Sequence, residues 1–184
     1  MPLHRSATVI GSILLWALAV PVVAQQADAI SSGTEWGQYR GNLAGTGFSP
    51  LDQINQDNVA DLQVAWSYSL RSEDENARGP NSQATPIVVN GIMYVPAGDR
   101  VVALDPVSGQ EIWRHQLSEG TPSRRGVSYW PGDSSHNPRI LFTSSRRLVS
   151  LDAATGSIVS EFGQSGEIDM IIPYNSVPRG YDNI

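Results

Sequence analysis

The sequence predicts an all-β chain built from repeated four-stranded antiparallel units. Three observations predict it. Short runs with alternating apolar side chains follow one another, and no long helical pattern interrupts them. Gly (17 residues) and Pro (12 residues) fall between those runs, where the chain must reverse. An eleven-residue stretch also echoes: residues 103–113 line up with 150–160, and Trp66 stands as far before Trp113, 47 residues, as Ala103 stands before Ser150. A period of that size with four strands per unit marks β-propeller blades. An all-β sandwich would give no reason for the echo.

The first element is a targeting segment. His4 and Arg5 precede an uncharged run at 7–20, Pro21 breaks it, and Val22-Val23-Ala24 supplies small residues for cleavage. The run is too short to span a bilayer comfortably, so residues 1–24 read as a signal peptide. A second cleavage site is Ala27-Asp28-Ala29, and the competing reading is an uncleaved anchor. Export to the periplasm is the expectation, with peripheral membrane contact a further one. The chain has no cysteine, which excludes disulfides and a lipid anchor at the cleavage site.

Residues 25–62 form a leader and an N-terminal lead-in. Residues 36–49 are rich in Gly and aromatics without periodicity and read as a loop that packs its rings on another element. Asn58 is a candidate N-cap for a helical turn at 59–62. A partial propeller fills 63–184. Residues 63–70 alternate, with Val64, Trp66 and Tyr68 on one face. One blade repeat lies near 84–116, with strands at 84–89, 92–95, 100–104 and 111–116. Its Asn90-Gly91 is a strong short-range hairpin signal. A second repeat lies near 126–162, with strands at 126–130, 139–143, 147–151 and 158–162.

The echoed stretch has a folding logic. Asp105 and Asp152 are placed to accept backbone N–H bonds in the turn that follows. Gly109 and Gly156 supply the left-handed position that closes it. Trp113, on the outer strand, is a flat group suited to wedge between neighbouring blades. None of this requires a catalytic role.

Chemistry-bearing residues are sparse. The balance of 18 acidic against 12 basic residues argues against a nucleic-acid partner. No Ser-His-Asp arrangement, phosphate loop or His pair at metal-ligand spacing is visible. His115 shares a strand face with Trp113 and reads as packing. His136 falls in a polar loop. Asp99 and Asp133 read as turn residues, and Glu73, Asp74 and Glu75 as a solvated charge run.

The stretch Ala103-x-Asp105-x-x-Ser108-Gly109-x-x-x-Trp113 resembles the tryptophan-docking motif of quinoprotein dehydrogenases at every marked position. The second copy departs at Ser150 and Ser160, which implies looser docking there. Residues 36–66 resemble the N-terminal approach of these enzymes, and 124–133 (RRGVSYWPGD) resemble the segment after their first full blade. The resemblance runs from Trp36 to the end. It implies an eight-bladed propeller of which about two blades are present. It also implies pyrroloquinoline quinone and calcium as cofactors, a sugar, polyol or alcohol as substrate, and ubiquinone or cytochrome c as electron acceptor.

Two cofactor-binding residues carry over. The family's quinone-pairing Arg falls on Arg125. A guanidinium suits this ligand, because it binds carboxylate and carbonyl oxygens through two parallel bonds and stays charged through the redox cycle. Gln83 falls where relatives place a Glu or Gln near a cofactor carboxylate, and its amide can donate without repulsion. Arg124, if on a strand, points the other way. Several alcohol-oxidising relatives have adjacent cysteines a few residues before the Arg-Gly pair. Glu119-Gly120 stands there instead, which implies the sugar and polyol branch. The resemblance puts the catalytic Asp and the calcium ligands beyond Ile184, so no catalytic or metal residue is assigned. The chain reads as an N-terminal fragment, unstable and inactive alone. A non-catalytic propeller scaffold binding envelope proteins is the alternative, and a dehydrogenase that has lost quinone binding is a third reading.

Overall fold

The computed structural model describes residues 35–72 and 83–171. They form two antiparallel four-stranded meanders in simple sequential order. The first comprises β1 (Ile87–Val89), β2 (Ile92–Ala97), β3 (Arg100–Leu104) and β4 (Glu111–Gln116). The second comprises β5 (Ser128–Trp130), β6 (Arg139–Ser144), β7 (Arg147–Asp152) and β8 (Glu167–Asp169). This is the blade architecture the repeat predicts. The Asn90-Gly91 turn has φ of 52° and 73°, the doubly left-handed hairpin whose twist matches its strands.

The two sheets share one core. Tyr94, Val101, Ala103 and Trp113 of the first pack against Ile140, Phe142, Val149 and Leu151 of the second. The opposite face of the first sheet, Val95, Val102 and Leu104, is covered by Trp66, Tyr68 and Leu70. That every-second-residue contact is the predicted alternation at 63–70, shifted outward: Val64 is 87% exposed and takes no part. The segment is extended but has no ladder partner among the described residues, so it is not a strand here.

The turn motif is built twice to the same plan. Asp105 Oδ1 accepts the N–H groups of Val107 (2.9 Å) and Ser108 (2.7 Å), and Asp152 Oδ1 accepts those of Ala154 and Thr155 (both 3.0 Å). Gly109 and Gly156 close the turns at φ of 72° and 71°. A tryptophan from the preceding unit lies on each glycine, so closely that a Cβ there would fall inside the ring. Trp66 Nε1 donates to the Pro106 carbonyl at 3.1 Å, and Trp113 Nε1 to the Ala153 carbonyl at 3.0 Å. The two indoles, 47 residues apart, thus make one contact twice.

Three expected elements come out differently. The fourth strand of the second blade is not 158–162. Ile158 makes a bridge to Leu151, as Glu111 pairs with Leu104, but the chain then leaves the sheet and returns as β8. Gln116 faces Arg100 in the first sheet, and Asp169 faces Arg147 in the second, so the strand carries a six-residue insertion and the repeat extends to 169. Ser165 and Gly166, with φ of 55° and 96°, turn the chain back. The strand expected from 126 starts at Ser128; residues 124–125 are a turn, and the opposite-face reading of Arg124 and Arg125 does not hold. Asn58 precedes a 3-10 turn, Val59–Asp61, without capping it. Its Oδ1 accepts the Asn55 N–H at 2.9 Å and its Nδ2 donates to the Gln53 carbonyl at 2.7 Å. The expected signal peptide and the 73–75 charge run lie outside the described residues. Among the described residues no helix is long and apolar enough to cross a membrane.

Candidate functional site

The inner strands β1 and β5 meet each other, and among the described residues the outer strands β4 and β8 do not meet to the same extent. The β1–β5 side therefore faces a propeller axis. Trp36 lies along β1, exchanging two backbone bonds of 2.9 Å with Val88. This fixes the lead-in loop beside β1 and β5. Within the loop Arg40 Nε donates to the Gly45 carbonyl at 2.7 Å, and Asn42 Nδ2 donates to Thr46 Oγ1 at 2.8 Å. The loop predicted from its aromatics and glycines is thus a fixed wall, although Tyr39 stays 68% exposed.

Between this wall and the two strands lies a cleft of about 600 Å³. Its lining includes the polar residues Tyr39, Asn42, Thr85, Arg125, Ser128 and Tyr129 and the apolar Ile87 and Val127. Among the described residues that line it, Arg125 is the one cation and there is no Asp or Glu. In a chain of net charge −6 that is a local inversion of sign. The Arg125 guanidinium has no ion-pair partner among the described residues. Burial pushes the Tyr129 phenol up, so it stays protonated; its oxygen accepts a bond from Asn90 Nδ2 at 3.3 Å.

The backbone brings the two expected cofactor residues together. The Gln83 N–H donates to the Arg124 carbonyl at 3.1 Å, joining the approach to β1 to the turn that carries Arg125. The turn is held from behind: Ser123 N–H donates to the Thr143 carbonyl at 2.7 Å, and Ser123 Oγ accepts the Arg125 N–H at 3.3 Å. Gln83 itself is exposed and does not line the cleft. Thr85, Tyr129 and the lead-in residues Tyr39 and Asn42 were not singled out from sequence. For Tyr39 and Asn42 the signal was the lone aromatic-Gly loop, whose docking place no periodicity reveals.

The other polar residues have local roles. Asp99 holds Arg100, Asp133 holds His136, and His115 Nδ1 meets the Gly156 carbonyl at 3.1 Å. No three His, Asp or Glu side chains converge to hold a metal among the described residues.

A planar anion with hydrogen-bond acceptors fits the cleft's single guanidinium, its hydroxyl and amide donors and its lack of carboxylates. The family comparison names such a ligand. Residues 36–182 match the family model described as PQQ, the glucose, ethanol and alcohol dehydrogenase β-propeller domain. The chain belongs to this PQQ dehydrogenase β-propeller family. Among curated relatives it is 32% identical to quinoprotein glucose dehydrogenase A of Acinetobacter calcoaceticus, over 88% of the chain and 24% of that protein. It is 41% identical to the quinohemoprotein alcohol dehydrogenase of Comamonas testosteroni, over 68% of the chain and 18% of that protein. Among solved structures, the quinohemoprotein alcohol dehydrogenase ADHIIG of Pseudomonas putida HK5 superposes with a TM-score of 0.57 at 28% identity, covering 78% of the chain and 20% of that structure. The PQQ-family chain thus spans about a quarter or less of these relatives.

Proposed function

We propose that this chain is the N-terminal part of an exported, quinone-dependent dehydrogenase. It oxidises the CH–OH group of a sugar, polyol or alcohol and passes electrons to ubiquinone or a cytochrome c. The observation that carries the reading is the cleft beside β1 and β5, where Arg125 is the one charged residue among the described residues that line it. When bound, pyrroloquinoline quinone supplies an electron-accepting carbonyl pair; calcium completes the cofactor set. This chain's own task is to hold that group. Arg125 would donate to its oxygens, and Tyr129, Thr85 and the lead-in loop would help enclose it. Gln83, joined to the Arg125 turn through the backbone, would offer its amide to a cofactor carboxylate. Glu119-Gly120 in place of adjacent cysteines favours a sugar or polyol substrate over a simple alcohol.

The test uses the full-length polypeptide, freed of quinone and titrated with pyrroloquinoline quinone plus calcium, followed by dye reduction with sugars, polyols and alcohols. A charge-assisted hydrogen bond contributes about 1.5–3 kcal/mol, so Arg125→Ala should weaken quinone binding by roughly 10- to 100-fold. Arg125→Lys should recover only part of it, because an ammonium cannot make the two-bond contact. A folded protein that takes up no quinone would replace this reading with a scaffold propeller.

A further inference from the structure

The repeat places equivalent residues at two successive joints, and there they do opposite things. At the first joint, Arg100 opens β3 beside the 63–72 segment and is 4% exposed. Its guanidinium donates to the carbonyls of Arg71 (2.9 Å) and Ser69 (3.1 Å) and pairs with Asp99 (3.1 Å). It plugs the gap between segment and sheet. Arg147 opens β7 at the second joint, 47 residues later, and the carbonyls equivalent to those of Ser69 and Arg71 belong to Gln116 and Ser118. Arg147 turns outward instead. It pairs with Glu167 at 2.6 Å, its side chain 59% exposed. Where the first joint is plugged, the second has a cleft of about 560 Å³, lined among others by Gln116, Ser118, Glu119, Arg147 and Glu167.

The outer strand accounts for the difference. It brings Glu167 opposite Val149, where the first sheet has Arg114 opposite Val102. A carboxylate thus stands where the first joint has a guanidinium, and it draws Arg147 out. The acid inside the gap has also changed sides. Arg146 occupies the place of Asp99 and is itself engaged with Asp169 at 3.1 Å, while Glu119 occupies the place of Ser72. Residues lining the gap thus offer two backbone carbonyls and, from Glu119, one carboxylate, the kinds of acceptor that hold Arg100.

We infer that Arg147 is a two-position latch: paired with Glu167 it leaves the cleft open, and released it enters the cleft, caps the Gln116 and Ser118 carbonyls and pairs with Glu119. An exposed ion pair is weak and screened by salt, so the outward position is easily left. The inward position exchanges one partner for three. Residues 117–120 form the lip of this cleft and begin the connection that ends at the Arg125 turn. The latch thus sets how firmly that connection is held. Its bearing on quinone binding rests on the function proposed above, but the latch itself does not.

Amide hydrogen exchange on the full-length polypeptide tests it, comparing the parent, Glu167→Gln and Glu167→Gln/Arg147→Lys. Glu167→Gln should slow exchange of the 118–120 amides by about threefold or more, as the lip is pinned from inside. The double variant should lose that slowing, since a lysine ammonium cannot span two carbonyls in a fixed fork. Amides of β6 should not change in either, which separates the latch from a general change in stability. Unchanged or faster exchange at 118–120 in Glu167→Gln would overturn the latch, as would slowing that persists in the double variant. These outcomes are read without quinone, so they stand apart from the Arg125 titration.

Discussion

The docking tryptophans carry much of the cohesion between units, and each rests on a single glycine. Trp113 is 8% exposed, tilted against Tyr94 at a ring separation of 5.9 Å, with its N–H satisfied by Ala153. Truncating a buried Trp costs about 3–5 kcal/mol, so Trp113→Ala should lower the urea midpoint of the full-length protein accordingly, and the half-buried Trp66→Ala by less. Gly156→Ala should cost about 2 kcal/mol or more, because it strains a φ of 71° and displaces the indole together. His115, packed on Phe142 and half-buried, gives a pH signature. Burial holds its imidazole below the ordinary value of 6.5, against an opposing bond to Gly156. The unfolded chain then binds the proton more tightly, so the stability from neutral His115 is present above about pH 6.5 and is lost as pH falls through the lower folded value. The melting temperature should fall from about pH 7 to about pH 5, and the fall should be shallower in His115→Gln. At this scale much was legible in the sequence. Asp, Gly and Trp at fixed offsets encode a turn and its lid through local bonding rules, and both copies obey them. Asn58 was not legible as it stands, because an Asn side chain serves a cap or an Asx-type turn equally well and only the neighbouring backbone decides.

Elements were legible wherever they follow the 47-residue spacing, and not where an insertion breaks it. The echo ends at Ile158, which keeps its bridge to Leu151. Beyond it Ser160 stands in the docking position, and no tryptophan wedges outward from the second sheet as Trp113 does from the first. The hint was Gly163 and Gly166, which follow directly on the expected strand at 158–162 and mark a departure from regular pleat. The consequence is a weak outer strand. β8 has three residues and an exposed Ile168, against six in β4 with its docked indole. Amides of β8 should therefore exchange faster than those of β4 in the same molecule, and equal rates would mean that the insertion braces the strand. The site divides the same way. The resemblance proposes Arg125 and Gln83 for the cofactor, and a backbone bond joins their segments. The wall of the cleft beside Arg125 was not legible, because an aperiodic loop carries no record of the strand it lies along.

At the scale of the molecule, among the described residues the first sheet is covered on both faces, whereas the second leaves apolar side chains exposed on its outward side. The outward side of the second sheet shows Ile168 and Met170 at 40% and 41% exposure, and the lead-in leaves Leu43 and Phe48 at 78% and 72%. A chain of this length on its own should self-associate and bind a hydrophobic dye, whereas the full-length polypeptide should do neither. Sedimentation at two concentrations would distinguish them, and a monodisperse short chain would show that these surfaces need no cover.

The paired indoles also give the molecule an optical gauge. Trp113 is shielded from water and hydrogen-bonded to the turn of the next unit, so its emission belongs at the short-wavelength end of the indole range. Parting the two sheets would wet the ring and move that emission to the red while each meander kept its circular dichroism. Following both signals through one denaturation would resolve the opening of a joint from the melting of a blade, with no label attached.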